Sequence, residues 1–423
     1  MYTGQKISVQ KVMGLIPDDL LCTLSKDTKV DYCAKVLYGQ RMFNLLLYGI
    51  LTTDRTSQRT LEDLFKSDLF KAMFCYDAGM KVSHSSISTR LSKIDSEFFR
   101  LVYENIYKEF SKFFTVKEQL KYRIVSVDSS MVAETCNKLR KGLTPGSKKD
   151  KTPDKVVKQV KYTVAFDGLT ACDFKVFTDS RYTSEELAIP EVIRLNASKE
   201  GAITNIYTFD RGVTSTKTFS SFNKDEIQFV GRLKIPRKYD VITLDQLSED
   251  NKDLGELTLI SSQLVHLYGH DCKVDPKNIY RLIVAERKEK IDITPPKNKG
   301  NFRKKQNTFY FFTNNLELSP KEIADIYKQR WEIEVFFRFI KQELNTSHFL
   351  SVSENGIKVI LYMTLIASML LLLYKKINEY GYKTAKRRFT IELWEAVVKI
   401  IVKNCGGDPA LVNKKYFQLY SPP

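Results

Sequence analysis

From Ser319 to Leu344 the chain reads SPKEIADIYKQRWEIEVFFRFIKQEL. Ser319 followed by Pro320 is an N-cap and a first helical residue, and neither Gly nor Pro interrupts residues 321–344. The stretch predicts one long helix. At about 100° per residue, Tyr327, Arg330, Glu334 and Lys341 share an arc of roughly 60°, while Ile326, Ile333, Phe336, Phe337 and Ile340 gather on a neighbouring arc. Such a helix must bury its apolar stripe against another layer, and it then presents a phenol, a guanidinium, a carboxylate and an ammonium beside that contact. A carboxylate among cations on a rigid helix suits a site for a divalent metal and phosphate oxygens. A solvated charged face on an ordinary amphipathic helix uses the same residue types.

The spacing goes further. Tyr327-x2-Arg330-x3-Glu334-x6-Lys341, with Arg330-Trp331 and Phe336-Phe337 alongside, resembles the YREK signature of cut-and-paste DDE transposases from bacterial insertion sequences, the IS-four family. The resemblance implies that Glu334 is the third of three metal-binding acids and that Tyr327, Arg330 and Lys341 hold the element's DNA end, with Arg211 and Arg338 as further DNA contacts. It also demands two aspartates upstream, each closing a strand.

Two positions meet that demand. YRIVSV, residues 122–127, is a short β-rich run ending at Asp128 and followed by Ser129 and Ser130. Residue types alone fit a turn or cap there as well as a ligand. TNIYTF, residues 204–209, runs into Asp210-Arg211-Gly212. Between them, VKYTVAFDG and ACDFKVFT predict a hairpin around Gly168, and SEELAIPEVIRLNA predicts a helix. Both contexts resemble the catalytic aspartate motifs of the family. The order fits a ribonuclease-H-like core with Asp128 and Asp210 on adjacent central strands and Glu334 on a helix beside them. Three hard oxygen ligands suit Mg²⁺, with Mn²⁺ as the alternative. The resemblance implies two ions sharing Asp128.

The stretch between Gly212 and Ser319 is strand-like (EIQFVGRLKI, KYDVITL, GELTLISSQLVHLYG, NIYRLIVAERK, TFYFFTNN) and resembles the family's all-β insertion domain. Family members use an aromatic pocket there for a flipped base. This chain has no Trp in that stretch, which leaves Tyr310 or a nearby Phe for the role. Upstream, residues 17–114 are helical in pattern. Within them TLEDLF, Gly79 and VSHSSISTRLSKI allow a helix-turn-helix offering Ser85, Ser86, Ser88 and Arg90 to DNA, or a helix with ordinary caps. Residues 138–161 carry nine Lys or Arg against two acids, a solvated loop or a DNA-backbone strap. The basic loop of residues 287–305 has the same two readings.

The fold expected is α/β: a ribonuclease-H-like catalytic core (119–225 and 317–378) interrupted by an all-β insertion domain (226–316), preceded by an all-helical N-terminal DNA-binding domain (1–118), and followed by a helical region (379–423). A formal charge of +17, from 67 basic and 50 acidic residues, fits a polyanionic partner, although ribosomal and membrane-surface proteins share it. Seven scattered cysteines form no disulfide-like framework and fit a reducing cytosol. Residues 359–374, VILYMTLIASMLLLLY, are 16 apolar-run residues where a span needs roughly 20, so they predict a buried core helix and no membrane partner. His266, His270 and Cys272 lack a fourth zinc ligand at a standard spacing, and TPGSKK misplaces the first glycine of a phosphate loop.

The resemblance implies a DNA transposase that binds terminal inverted repeats and target double-stranded DNA, cuts at the element ends through a hairpin, and acts as a homodimer, with the nucleoid in the cytoplasm as its expected place. The competing readings are a structure-specific nuclease of the same fold and a catalytically silent, transposase-derived DNA-binding protein.

Overall fold

A computed structural model describes residues 6–112, 122–133, 142–143, 159–199, 204–234, 237–247, 252–269, 273–289, 307–344 and 350–413. Most of the basic strap of residues 138–161, the TPGSKK stretch, most of the 287–305 loop, His270, Cys272 and Phe349 lie outside them.

Seven helices come first: α1 (Val9–Met13), α2 (Asp18–Asp27), α3 (Gly39–Thr52), α4 (Gln58–Lys66), α5 (Asp68–Met73), α6 (His84–Lys93) and α7 (Ser96–Lys112). Then come β1 (Tyr122–Ala133), β2 (Gln159–Phe166), β3 (Ala171–Phe177), α8 (Glu185–Ala197), β4 (Thr204–Phe209), α9 (Thr216–Lys224) and β5 (Gln228–Arg232). The next strands are β6 (Tyr239–Leu244), β7 (Leu257–Leu267), β8 (Tyr280–Arg287) and β9 (Thr308–Thr313). Helices α10 (Pro320–Gln329), α11 (Trp331–Glu343), α12 (Glu354–Ile377) and α13 (Tyr382–Asn404) follow, with a 3₁₀ turn at Pro409–Asn413 after them.

The described strands form one nine-stranded sheet ordered β3-β2-β1-β4-β5-β9-β8-β7-β6. β1, β4 and β5 are parallel, and every other pairing is antiparallel. The β2–β3 hairpin turns at Gly168, whose φ of 86° favours a residue without Cβ. Asp167 fixes this turn by accepting from the Leu169 and Thr170 amides, and its other oxygen takes Tyr107 and Arg123, tying α7 and β1 to the same corner.

Side chains alternate along each strand, so the sheet has two faces. Val160, Tyr162, Val164 and Phe166 pack with α7, α11 and α12, whereas Val125, Val127 and Ala165 pack with Ala188, Ile189, Val192 and Ile193 of α8 and Phe219 and Phe222 of α9. The result is a helix–sheet–helix sandwich.

Three features differ from the sequence reading. The strand-rich stretch after Gly212 continues the central sheet through the β5–β9 pairing, Val230 opposite Thr313, because β5 has a free edge that β9 can extend. The N-terminal helices share one continuous apolar cluster with α11, α12 and α13. The stretch from Ser319 is two helices, not one. Its N-cap is a capping box between Ser319 and Glu322, but at Arg330 the ladder tightens, with Arg330 N–H donating to the Tyr327 carbonyl and Ile333 N–H to the Arg330 carbonyl. No Gly or Pro causes this break; Arg330 holds αR dihedrals at the joint, and its guanidinium is drawn into a cluster of acids.

α12 contains the apolar run of residues 359–374 and is long and apolar enough to cross a membrane by length and composition, but 89% of its most apolar 18 residues are buried within the protein. It packs against α3, α6, α7 and α13. α13 contributes Ala385, Phe389, Leu393 and Val397, one stripe at four-residue spacing, to the same core. Asn355 at the start of α12 donates to the Leu91 and Ile94 carbonyls, tying α12 to the C-terminus of α6. Replacing the fully buried Ile366 with Asp is expected to cost more than about 4 kcal/mol, since an unpaired carboxylate has no partner there. Loss of the cooperative thermal transition would be the readout, and a wild-type melting curve would refute this placement of α12.

Candidate active site

Register brings the two aspartates together. β1 and β4 are paired in parallel up to Val127 opposite Phe209, and the next residue on each chain is Asp128 and Asp210. β1 does not end there as the sequence suggested; it runs on to Ala133, paired only with β2, with Asp128 opposite Val164. The loss of the β4 neighbour beyond Val127 is what opens space for a side chain. β5 is paired with β4 up to Val230 opposite Thr208, so continuing that register puts Arg232 beside Asp210. Thus Asp128, Asp210 and Arg232 form a row where the parallel pairing of β1, β4 and β5 gives out, the side of an open α/β sheet that receives ligands.

Arg330 joins this row to the helices. Its guanidinium lies 2.5 Å from Glu334 Oε1 and 3.6 Å from Asp128 Oδ2, at 13% side-chain exposure. The Arg330 guanidinium carbon is 5.7 Å from the Tyr327 ring centre, and Tyr327 packs on Phe311 of β9. Burial raises the Tyr327 phenol above its ordinary range, against the opposing pull of Arg330 and Arg232. Burial also lowers the Lys341 ammonium, and the Asp128 charge opposes that shift. The four residues of the Tyr-Arg-Glu-Lys spacing therefore converge on the two aspartates, despite the break in the helix.

Asp128 is pushed up to about 6, first by burial, then by the Glu185 and Asp210 charges, with the Ser129 N–H and Arg330 pulling the other way. Each aspartate accepts one hydrogen bond from the next backbone N–H, Ser129 N to Asp128 Oδ1 and Arg211 N to Asp210 Oδ1, both at 2.7 Å. Those bonds fix one oxygen of each carboxylate. Adjacent carboxylates with hard oxygens fit a divalent cation, which would relieve their repulsion. Among the described residues no three His, Cys, Asp or Glu side chains stand close enough to hold a metal, because the Arg330 guanidinium lies between Asp128 and Glu334.

The remaining expected residues fall elsewhere. Arg338 is exposed and lies over Trp331, which is itself 54% exposed. Arg90 donates to the Leu37 and Val30 carbonyls, and Ser85 and Ser86 bond to the N-cap Ser83, so this face of α6 serves its own fold. α5 also intervenes between α4 and α6, which breaks the short turn of a helix-turn-helix. The Tyr310 ring packs beside the apolar cluster around Phe312. His266 Nδ1 donates to the Asn278 carbonyl, an ordinary structural bond.

Arg232 and Glu185 were missed. Arg232 closes the strand QFVGR as Asp210 follows TNIYTF, but local pattern places that strand with the β-rich stretch after Gly212 and so hides its register with β4. Glu185 and Glu186 open α8. Glu186 accepts from the Thr214 and Ser215 amides and the Thr218 hydroxyl, holding the turn after Asp210 at the start of α9.

The family model described as Transposase DDE domain matches residues 119–370. A putative transposase for insertion sequence element IS4SA from Synechocystis sp. is 25% identical over 360 residues, covering 85% of this chain and 88% of that protein. A probable transposase for insertion sequence element IS5377 from Geobacillus stearothermophilus is 44% identical over 59 residues, 14% of this chain and 16% of that one. Among solved structures, the piggyBac transposase synaptic complex with hairpin DNA superposes with a TM-score of 0.47 at 11% identity, covering 94% of this chain and 82% of that one. The matched family spans the sheet row, the break at Arg330 and α11, and the chain belongs to it: a DDE transposase of the IS-four type, a metal-dependent DNA-cleaving enzyme.

Proposed function

We propose that this transposase binds the terminal inverted repeats of its insertion sequence, cuts both strands at each end, and joins the freed 3′-ends to target DNA. The observation that carries the reading is the register of β1 and β4, which sets Asp128 beside Asp210 within reach of the Arg330–Glu334 pair. Asp128 and Asp210 would hold a divalent cation, Mg²⁺ or Mn²⁺, and Glu334 would complete the set once its pair with Arg330 is exchanged. Bound there, two such ions supply charge neutralisation at the scissile phosphate and a lowered pKa for the attacking water or 3′-hydroxyl.

The chain's own residues do the rest. Arg330, once exchanged, and Lys341 neutralise phosphate oxygens, and the Tyr327 hydroxyl hydrogen-bonds a phosphate near the cut. Arg211 and Arg232, flanking Asp210, extend the cationic floor along the DNA backbone. The strand order β3-β2-β1-β4-β5, with α8 and α9 on one face and α11 on the other, supports reading this part of the sheet as a ribonuclease-H-like core. Cutting the second strand through a hairpin and pairing of the ends by a homodimer complete the reading. The +17 charge supports a DNA partner, and the free thiols at Cys22, Cys33, Cys75, Cys172 and Cys405 support action in the reducing cytoplasm at the nucleoid.

The test is cleavage of labelled DNA from the repeats flanking its own gene, in Mg²⁺, on a denaturing gel. A nick at the repeat boundary followed by a hairpin-length product is expected, with both absent in Glu334→Ala while the gel shift of the end persists. Unchanged cleavage by that variant would overturn the site assignment; binding without cutting by the wild type would favour a silent descendant.

A further inference from the structure

Glu185, the first residue of α8, is a fourth carboxylate beside the acids, and both of its oxygens are engaged. Its Oε2 accepts from Ser129 Oγ at 2.6 Å, and its Oε1 accepts from Lys161 Nζ at 2.9 Å. Ser129 Oγ also lies 2.8 Å from Thr163 Oγ1, while the Ser129 N–H holds Asp128 Oδ1. Lys161 projects from β2 with its side chain 1% exposed, and its ammonium donates as well to the Thr183 carbonyl at 2.9 Å. On the opposite side, a Cβ built on Gly212 would stand 2.6 Å from the Cβ of Glu185. The glycine of Asp210-Arg211-Gly212 is thus the residue that lets Glu185 lie against that turn.

A buried ammonium is costly to retain, and an apolar residue of similar volume serves packing better. Lys161 therefore calls for a use other than stability, and its partner touches the neighbours of both aspartates. We infer that Glu185, anchored by Lys161, is a positioning residue for DNA cleavage: it fixes Ser129, and through it the Asp128 carboxylate, while abutting the Asp210 turn at Gly212. A metal ligand presents free oxygen, as Asp210 does at an exposed position; Glu185 has both oxygens committed to protein donors. The assignment rests on Asp128 and Asp210 being the catalytic acids.

The experiment is single-turnover cleavage of repeat-end DNA by the full-length chain at saturating protein, with end affinity measured by gel shift and melting temperature on each variant. Glu185→Ala is expected to lower the cleavage rate constant roughly 100-fold and Ser129→Ala about 10-fold, with end affinity within about twofold of wild type, as misplacing a reacting group demands. Glu185→Gln is expected to recover to within about fivefold, because its carbonyl accepts from Lys161 and its amide donates to Ser129 Oγ. A Glu185→Gln protein that folds yet is as inactive as Glu185→Ala would overturn the proposal, since the charge itself would then be used. Ser129→Ala leaves the Lys161–Glu185 pair intact, so it decides the matter if Glu185 variants fail to fold: wild-type cleavage by Ser129→Ala sinks the idea. Asp128→Ala is the control. If it is inactive while Ser129→Ala and Glu185→Ala cut normally, only the positioning role fails; if it cuts, the catalytic reading itself is wrong.

Discussion

Asp128→Asn is expected to remove end cleavage, by roughly a thousandfold or more, and at the same time to raise the melting temperature of the metal-free protein. The first effect comes from losing an anionic ligand while the shape is kept. The second comes from the cost of holding that charge. Burial first, then the Glu185 and Asp210 charges, lift the Asp128 carboxyl from 3.8 to about 6. That rise corresponds to about 3 kcal/mol at most. The folded chain then binds the proton more tightly than the unfolded chain, so this group's contribution to stability falls as pH rises from about 4 to about 6, and the penalty is fully present above that window. Asparagine carries no charge to bury. Its advantage should be largest near pH 8, shrink through pH 6, and vanish below about pH 4. Thermal scans across that range, without divalent ions, check the claim; an asparagine variant that melts lower than wild type at pH 8 would contradict it. Adding Mg²⁺ should stabilise the wild type and leave the variant nearly unmoved, because only a folded-state ligand shifts the equilibrium.

Arg330→Ala should be the more damaging change to the fold. The guanidinium is 13% exposed and pairs with Glu334 at 2.5 Å and Asp128 at 3.6 Å, so its removal leaves two half-buried carboxylates facing each other. Breaking a fully buried pair costs about 3–5 kcal/mol, and the partial exposure of Asp128 and Glu334 sets the loss here below that. The loss should be greatest above pH 6 and smaller as Asp128 takes up its proton, the reverse of the dependence expected for a cation-rich site. Arg330→Lys should recover only part of it, since a point charge cannot serve both acids as a planar fork does. Differential scanning calorimetry gives the stability, and cleavage should fall by at least about 100-fold in both variants. Equal stability of Arg330→Ala and wild type at pH 8 would show that the acids are solvated independently of Arg330.

Much of this was legible in local pattern. Ser319-Pro320 with Glu322 marks a helix start through its cap, Gly168 marks the hairpin through its positive φ, and TNIYTF forms β4 with the bounds its β-branched and aromatic residues suggest. The spacing of Tyr327, Arg330, Glu334 and Lys341 likewise announced a shared face, because neighbours on a helix surface are neighbours in sequence. What local pattern leaves open depends on partners far along the chain. The apolar run in α12 reads as a core helix, yet only packing made it common to α3, α6, α7 and α13. The strands after Gly212 read as strands, yet only the open edge of β5 made them part of the central sheet.

The same division runs through the site. Local sequence determined that strands precede Asp128 and Asp210 and that Glu334 sits on a helix, since alternation and caps act over a few residues. Tertiary structure alone decided that Val127 faces Phe209, which sets the aspartates side by side, that Arg232 continues their row, that the helix breaks at Arg330, and that Lys161 anchors Glu185 beneath Ser129. Each of these is a register or a contact across tens to hundreds of residues, fixed by which faces the whole chain can bury together, and no periodicity within one segment encodes it.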